Sequence, residues 1–348
     1  MENEYPTLHG IGNMKMEKHP IPALGPHDVL LKMSKVGICG SDLALVYKGR
    51  QGDFVPPFPM GLCHEASGVV VQCGPKVKHL EVGDKVAVEP GGPCRVCSFC
   101  KSGKYNNCPD ACFHAGPSPI PGCLARYFKH TADLCFKLPD NVSLEEGAII
   151  EPLSVGIHAC RRANVTLGSS VLICGAGPVG LVCLLSAKAM GATNILVTDI
   201  RQNRLQTAKK MGANDTLLVK TETPEDLAKK VAEVIGCQPE ITLECSGAES
   251  SIRTGIFATR SSGTVVLVGI GNPEVKLPIV NAAVREVDIK GVYRYIDYYP
   301  IAIDMIAKGL VDVKPLITHT FAFEDYKKAF ELCKTAEDGV IKCMISCD

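Results

Sequence analysis

Residues 171–191 have the sequence VLICGAGPVGLVCLLSAKAMG, and this stretch decides the fold. Its first part is an apolar run of strand length, and its second part has helical length and ends at Gly191. Between them, Gly175, Gly177 and Gly180 fit the pattern G-x-G-x-x-G. Because this pattern follows a predicted strand and opens a predicted helix, it predicts a loop that binds the pyrophosphate of a dinucleotide.

The alternation of strand and helix continues after this stretch. The apolar runs NILVTD, DTLLV, ITLECSG and GTVVLVG are separated by segments of helical length. This order predicts an α/β protein with a doubly wound parallel sheet of the Rossmann type. Residues from about 22 to 140 form short runs divided by Gly and Pro, which indicates a β-rich region, and VIKCMISCD at the end predicts a strand. We therefore expect a Rossmann domain over 154–293, inserted into a discontinuous β-rich domain formed by 1–153 and 294–348.

The residues around the glycine loop indicate which dinucleotide binds. Pro178 and Val179 complete the loop, and the start of the helix supplies N–H groups for the phosphates. Asp199, about 20 residues further on, is the expected acceptor for the ribose hydroxyls and would repel a 2′-phosphate, which favours NAD. Arg201 and Arg204 leave NADP open, since either could pair with a phosphate. The alternative for Asp199 is a residue that only caps the next helix.

Four closely spaced cysteines predict a metal site. Cys94, Cys97, Cys100 and Cys108 lie among glycines and prolines, which suits a closed tetrahedral zinc site with a structural role. An iron–sulfur cluster or a chance arrangement is the alternative, although the spacing differs from the ferredoxin pattern.

A second set of possible metal ligands is dispersed along the chain. Cys39, His64, Glu65 and Glu151 offer a thiolate, an imidazole and two carboxylates, the donor types of a catalytic zinc site with an open position. From spacing alone the alternative stands that they are a buried thiol, a hydrogen-bonded imidazole and solvated acids.

Composition limits the partners. Lys+Arg and Asp+Glu both number 37, and this balance argues against nucleic acid or an anionic membrane as a partner. The N-terminus lacks the apolar core of a signal peptide, and no run approaches the length of a membrane span. Eighteen cysteines in a long chain without such a signal favour metal ligands and buried thiols over disulfides. We expect a cytoplasmic protein with a small-molecule partner.

Six motifs carry a resemblance to a known family. They are GICGSD, HEASG, VGDKVAVEPG, LPDNVSLEEGA, EPLSVGIHACRR and CGAGPVG, in this order. From about residue 28 to the C-terminus the chain resembles the zinc-dependent medium-chain dehydrogenases, and among them the polyol (sorbitol) dehydrogenases. The resemblance implies a GroES-like catalytic domain, two zinc ions per chain, a substrate cleft between the domains, and a homotetramer or homodimer. It also implies hydride transfer between a secondary alcohol or polyol and NAD.

The resemblance assigns roles to residues that match the family motifs. The implied zinc ligands are Cys39, His64 and Glu65, with Glu151 contacting the zinc-bound water or exchanging as a ligand. Ser41 is implied in proton removal. The implied substrate-site residues are Phe113, Arg294 and Tyr295.

Several positions depart from the family pattern and bear on the substrate. Ala44 and Leu45 stand where polyol dehydrogenases have His and Tyr, and the segment 116–123 lacks the acids of the family loop. Cys63 stands where Gly is usual. These departures leave a dehydrogenase of a more apolar alcohol, such as a terpenoid or aromatic one, as an alternative. A nucleotide-binding protein without catalysis would require the ligand residues to be missing, and they are present.

Overall fold

The computed structural model describes residues 2–52, 54–113, 122–337 and 339–348. The strands, in chain order, are β1 (Glu2–Leu8), β2 (Met14–Pro20), β3 (Asp28–Gly37), β4 (Glu65–Cys73), β5 (Lys85–Val88), β6 (Gly91–Gly92), β7 (Cys112–Phe113), β8 (Tyr127–Thr131), β9 (Cys135–Lys137), β10 (Ser170–Cys174), β11 (Asn194–Asp199), β12 (Asp215–Leu218), β13 (Ile241–Glu244), β14 (Thr264–Leu267), β15 (Asp288–Gly291), β16 (Ile317–Ala322) and β17 (Lys342–Ser346). The helices are α1 (Gly40–Lys48), α2 (Ser98–Lys101), α3 (Leu144–Arg162), α4 (Pro178–Ala189), α5 (Gln202–Lys210), α6 (Pro224–Ile235), α7 (Glu249–Ala258), α8 (Ile279–Ala283), α9 (Tyr299–Ala307) and α10 (Tyr326–Thr335).

The chain forms two compact units. The first comprises Met1–Glu151, Tyr299–Gly309 and Ile317–Asp348, and the second comprises Pro152–Tyr298 and Leu310–Leu316. The predicted domain boundaries, at 153/154 and 293/294, stay a prediction.

The second unit contains the predicted parallel sheet. Within the described residues, six strands pair in the order β12-β11-β10-β13-β14-β15, and every pair is parallel. Helices follow the strands because the apolar strands β10, β11 and β13 need cover on both faces. The order reverses at β10, so the carboxyl end of β10 is the place where a doubly wound sheet binds its ligand. The predicted Rossmann fold is confirmed.

The first unit is β-rich, also as predicted. In the described part of the chain, its main sheet has the order β16-β17-β3-β4-β5-β9, and β8 pairs with β3. The last strand, β17, runs antiparallel to β3 and brings the C-terminal segment beside it. One apolar core lies against this sheet and includes Leu31, Met33, Val70 and Phe330. Among the described residues, no helix combines the length and the apolar character that crossing a membrane requires.

Candidate active site

Cys39, His64 and Glu65 come together where β3 ends and β4 begins. The two strands are antiparallel, and Gly37 at the end of β3 pairs with Glu65 at the start of β4. Cys39 therefore lies two residues beyond this pair, beside His64. One ligand atom from each of the three side chains lies within 4.8 Å of the other two.

Asp42 fixes the backbone on both sides of this cluster. Its carboxylate accepts the N–H of Cys39 at 2.9 Å, which completes the capping box of α1, and the N–H of Cys63 at 3.0 Å. Cys63 is buried with a φ of 65°, a left-handed conformation that favours glycine. The carboxylate of Asp42 also lies 3.8 Å from Nδ1 of His64. Asp42 thus holds both ligand-bearing segments from one buried position.

The charges around His64 favour its protonated form before a metal binds. Burial lowers the pKa of His64, but the negative charges of Asp42, Cys39 and Glu151 outweigh this effect and raise the pKa to about 10. A metal that binds the imidazole must displace this proton, so binding is coupled to proton release.

Lys342 on β17 pairs with Glu65 inside the site. Its Nζ lies 2.7 Å from Oε1 and 2.6 Å from Oε2 of Glu65, and it also donates to the carbonyl of Ile38 at 3.1 Å. Both side chains are almost fully buried, with exposures of 2% for Lys342 and 1% for Glu65. The negative charges of Glu65, Cys39 and Glu151 raise the pKa of Lys342 against the effect of burial, so the ammonium is charged.

Glu151 and Ser41 complete the predicted set. Glu151 is buried on α3, outside the three side chains whose ligand atoms lie mutually close, although its charge reaches His64 and Lys342. The Oγ of Ser41 is buried and has no hydrogen-bond partner among the described residues.

The donor set fits zinc. A thiolate, an imidazole and a carboxylate are donors that zinc takes in proteins, and three protein ligands leave the fourth position that catalytic sites keep open.

The four-cysteine lobe forms a second cluster. The sulfur atoms of Cys94, Cys97, Cys100 and Cys108 lie within 4.8 Å of one another, and the Sγ atoms of Cys94 and Cys100 are 3.9 Å apart. A zinc tetrahedron with bonds of about 2.3 Å separates its sulfurs by about 3.8 Å, so the lobe already has nearly that size. N–H donors from Val96 and Cys97 lower the pKa of Cys94 to about 7, which favours the thiolate.

The glycine loop has the geometry that the motif predicts. Gly175 follows β10 with a φ of 102°, and Gly177 caps α4, which begins at Pro178. A Cβ on Gly180 would collide with the carbonyl of Gly175, so the helix packs on the strand only because residue 180 is glycine. The side chain of Val179 belongs to the same first turn of α4.

Asp199 supports this loop directly. At the end of β11, its carboxylate accepts the N–H of Ala176 at 2.7 Å and that of Arg201 at 2.8 Å. Arg204 lies beside the loop, since a Cβ on Gly177 would be 3.6 Å from its Nη1. Asp199 is therefore more than a capping residue for α5, because it also holds the glycine loop through the N–H of Ala176.

The structure places the remaining predicted residues as follows. Arg294 and Tyr295 belong to the second unit, where Arg294 has a φ of 54° and its guanidinium lies 4.6 Å from the ring centre of Tyr293. The backbone of Phe113 pairs with Gly91, but its side chain and residues 114–121 lie outside the described part of the chain.

Position 45 has a different role from the one that the resemblance implied. Leu45 is fully buried in the core of the first unit, so its side chain fills that core and offers no surface to a substrate. Ala44, its neighbour on α1, is partly exposed.

Two residues of the site were missed in the sequence. Asp42 lies in the motif GICGSD, which gives no sign of its hydrogen bond to the N–H of Cys63. Lys342 had a visible signal, because it is a charged residue inside the apolar run VIKCMI at the start of β17, where a lone ammonium would not be buried without a partner.

Comparison with known proteins identifies the family. The model of the alcohol dehydrogenase GroES-like domain matches residues 25–140, and that of the zinc-binding dehydrogenases matches residues 178–308. The chain belongs to the zinc-dependent medium-chain dehydrogenases. It is 56% identical to the sorbitol dehydrogenase of Rattus norvegicus over 348 residues, which cover 100% of this chain and 96% of that one. The sorbitol dehydrogenase of Bos taurus is 55% identical over 348 residues, 100% of this chain and 97% of that one.

Solved structures agree with this assignment. A dehydrogenase of unknown specificity from Escherichia coli superposes with a TM-score of 0.92 at 34% identity, covering 99% of both chains. As a zinc-dependent medium-chain dehydrogenase, this chain is an oxidoreductase that acts on the CH–OH group of a small-molecule alcohol, with zinc and NAD as cofactors. These predictions are confirmed, and the alternative of an apolar alcohol is not favoured.

Proposed function

We propose that this protein oxidises a secondary hydroxyl of an open-chain polyol such as sorbitol or xylitol to a ketone with NAD, and catalyses the reverse reduction. The observation that carries the proposal is the convergence of Cys39, His64 and Glu65 in a chain that is 56% identical to a sorbitol dehydrogenase over its full length. The burial of Leu45 supports it. Because this side chain lies in the core, the replacement of the family tyrosine by leucine changes the core and does not remove a substrate contact.

The proposal gives the two metal clusters different roles. Cys39, His64 and Glu65 would hold the catalytic zinc, with Glu151 beside it as the residue that contacts its water or exchanges as a ligand. The lobe of Cys94, Cys97, Cys100 and Cys108 would hold a structural zinc, because four thiolates leave no open position.

The chain's own residues handle orientation and the proton. When bound, zinc supplies Lewis acidity at the substrate hydroxyl, and NAD supplies the hydride acceptor. The buried Oγ of Ser41 can accept the hydroxyl proton and pass its own to a neighbour. Because residue 44 is alanine and cannot titrate, the last step of proton exit must use water. Phe113, Arg294 and Tyr295 are proposed to contact the substrate.

The proposal assigns the dinucleotide to the loop of Gly175, Gly177 and Gly180. Pro178 and Val179 shape the first turn of α4, whose N–H groups would receive the phosphates. Asp199 would accept the adenosine ribose hydroxyls, and Arg204 would lie beside them.

A substrate panel tests the proposed function. Sorbitol, xylitol and a set of long-chain and aromatic alcohols are each offered with NAD and with NADP, and formation of the reduced cofactor is followed by its absorbance. Saturable oxidation of sorbitol or xylitol with NAD is expected. Turnover of the apolar alcohols alone would contradict the proposal.

We further propose that the protein is a cytoplasmic homodimer or homotetramer. None of the cysteines in the described residues forms a disulfide, which suits a reducing compartment. In the second unit, β15 is an edge strand, and Ile279, Val280 and Val284, on or just after the preceding helix α8, are 53%, 75% and 76% exposed. Light scattering should report an oligomer that Val280→Lys weakens, while the control Leu167→Lys, at a leucine that is 85% exposed, leaves it intact.

A further inference from the structure

Lys342 is a charged residue in an apolar strand. The strand β17 is buried along Lys342–Ile345, and its neighbours Cys343, Met344 and Ile345 all belong to the interior. Burial of an ammonium costs free energy unless the group is fully paired, so the groups that pair with Lys342 indicate its role.

All three N–H bonds of the ammonium have acceptors. Two go to the oxygens of Glu65, at 2.7 and 2.6 Å, and the third goes to the carbonyl of Ile38, at 3.1 Å. Ile38 directly precedes Cys39, and Glu65 directly follows His64. One ammonium thus connects the two segments that carry the proposed zinc ligands.

The backbone of β17 reinforces the same connection. The carbonyl of Cys343 accepts the N–H of Ile38 at 3.1 Å, so consecutive residues of β17 hold Ile38 at both of its peptide groups. This arrangement follows from the sheet order, in which β3 lies between β17 and β4.

Gly37 makes the contact across β3 possible. It pairs with Glu65 on one side and with Met344 on the other. A Cβ on Gly37 would collide with Oε2 of Glu65, one of the two oxygens that Lys342 binds. A side chain at position 37 would therefore separate the carboxylate from the ammonium.

We propose that Lys342 is a positioning residue for the catalytic metal, holding Glu65 and the Cys39 segment in the geometry that zinc needs. This inference rests on the proposed function, because it assumes that Cys39, His64 and Glu65 bind zinc. An ionised carboxylate has about four acceptor sites, so two hydrogen bonds from Lys342 still leave lone pairs for a metal. The ammonium also offsets part of the negative charge that the thiolate and carboxylates bring to the site.

Metal binding in a Lys342→Met variant tests the proposal. Methionine keeps the length and apolar stem of lysine and removes only the ammonium. Loss of an outer partner of a metal ligand typically weakens metal binding by about 10- to 100-fold, so at least a tenfold rise is expected in the Kd of the zinc proposed at Cys39, His64 and Glu65. The Kd is measured by competition with a chelator. In parallel, Co²⁺ replaces this zinc and its visible absorption bands report the coordination, which a purely structural role would leave unchanged.

Lys35→Met is the matched control. Lys35 lies on β3, its side chain is 14% exposed, and it pairs with Asp348 at 2.9 Å and Glu145 at 3.4 Å, neither of which is a proposed metal ligand. It should lose stability but keep the zinc Kd and the Co²⁺ spectrum. A Lys342→Met protein with the wild-type Kd and spectrum would overturn the proposal, as would a Lys35→Met protein that loses as much zinc affinity.

A second pair of variants covers the case in which Lys342→Met does not fold. Gly37→Ala leaves both charges in place but displaces the Glu65 carboxylate, and it should weaken zinc binding at least tenfold. Its control is Gly40→Ala, because a Cβ on Gly40 meets no atom within 4 Å. Equal zinc affinity in Gly37→Ala and Gly40→Ala would overturn the proposal. If the wild type itself binds a single zinc, the proposed function fails; if the wild type binds two and the variants do as well, only the role of Lys342 fails.

Discussion

The carboxylate of Asp42 accepts the backbone N–H of Cys63 at 3.0 Å and thereby holds the residue that precedes the metal-site histidine. Cys63 has a left-handed φ of 65°, a conformation that costs free energy for any residue except glycine. The hydrogen bond from its N–H compensates for part of this cost. A residue on α1 thus determines the path of the chain into β4.

Replacement of Asp42 by Asn should disturb the metal site more than the fold. The amide has one acceptor oxygen, so one of the N–H groups of Cys39 and Cys63 faces an NH₂ donor. An unsatisfied buried group costs about 1–3 kcal/mol, so we expect the free energy of unfolding to fall by that amount. We also expect loss of the zinc proposed at Cys39, His64 and Glu65. Denaturant unfolding and metal analysis measure the two effects.

Asp84→Asn is the control for this variant. Asp84 directly precedes β5, is buried, accepts the N–H of Glu81 at 2.9 Å and pairs with Lys137, and none of these is a proposed metal ligand. It should lose stability and keep both zinc ions. Full zinc content in Asp42→Asn would refute the positioning role of Asp42.

The glycine loop makes a second prediction. Gly180→Ala places a Cβ against the carbonyl of Gly175 and pushes α4 away from β10. NADH affinity, measured by fluorescence titration, should fall by about tenfold or more, since the loop and the helix N-terminus bind the phosphates together. Gly291→Ala in the same unit, where a Cβ meets nothing within 4 Å, should bind NADH like the wild type. Unchanged affinity in Gly180→Ala would remove the loop from the cofactor site.

Asp199 should control the choice between NAD and NADP. Asp199→Ala removes a charge that would repel a 2′-phosphate and leaves Arg201 and Arg204 nearby. We expect kcat/KM with NAD to fall by about tenfold or more, partly because the N–H of Ala176 loses its acceptor, and the NADP/NAD ratio to rise. Asp226→Ala, at the start of α6, should change neither. An unchanged NADP/NAD ratio of kcat/KM in Asp199→Ala would show that another group distinguishes the ribose hydroxyl from the 2′-phosphate.

His130 predicts a specific pH dependence of stability. Burial lowers its pKa to about 4, and its Nε2–H donates to the carbonyl of Glu89 at 2.8 Å, so the folded state keeps the ring neutral. The unfolded chain protonates it near pH 6.5, so its contribution is complete above that pH and is lost as the pH falls toward 4, by at most on the order of 3 kcal/mol.

His130→Gln isolates this contribution. Glutamine can keep the hydrogen bond to Glu89 but does not titrate. Unfolding free energies at pH 7, 6 and 5 should fall more steeply in the wild type than in the variant. Parallel curves would mean that His130 is already accessible to protons in the folded state.

Local patterns in the sequence were sufficient to predict the Rossmann fold of the second unit. The apolar strand, the three glycines and Asp199 act within about thirty residues, and each has a backbone reason for its position. The four-cysteine lobe was predictable for the same reason, because its ligands lie between Cys94 and Cys108.

The cluster proposed to be catalytic, Cys39, His64 and Glu65, required long-range contacts that spacing does not encode. Glu65 and Lys342 are 277 residues apart and meet only because β17 pairs with β3. The burial of Leu45 could not be predicted from the sequence either, since a residue on a half-buried helix can face the core or the solvent. The family resemblance supplied the ligand roles, whereas the supporting residues Asp42, Gly37 and Lys342 emerged from the structure.

The zinc content of the purified protein tests the central claim most directly. We predict two zinc ions per chain in the wild type, and one in both Cys39→Ser and Cys94→Ser. Only Cys39→Ser should abolish NAD-dependent sorbitol oxidation completely, because Cys94 belongs to the four-cysteine site that we propose to be closed and structural. A wild type with a single zinc, or full sorbitol oxidation by Cys39→Ser, would contradict the account.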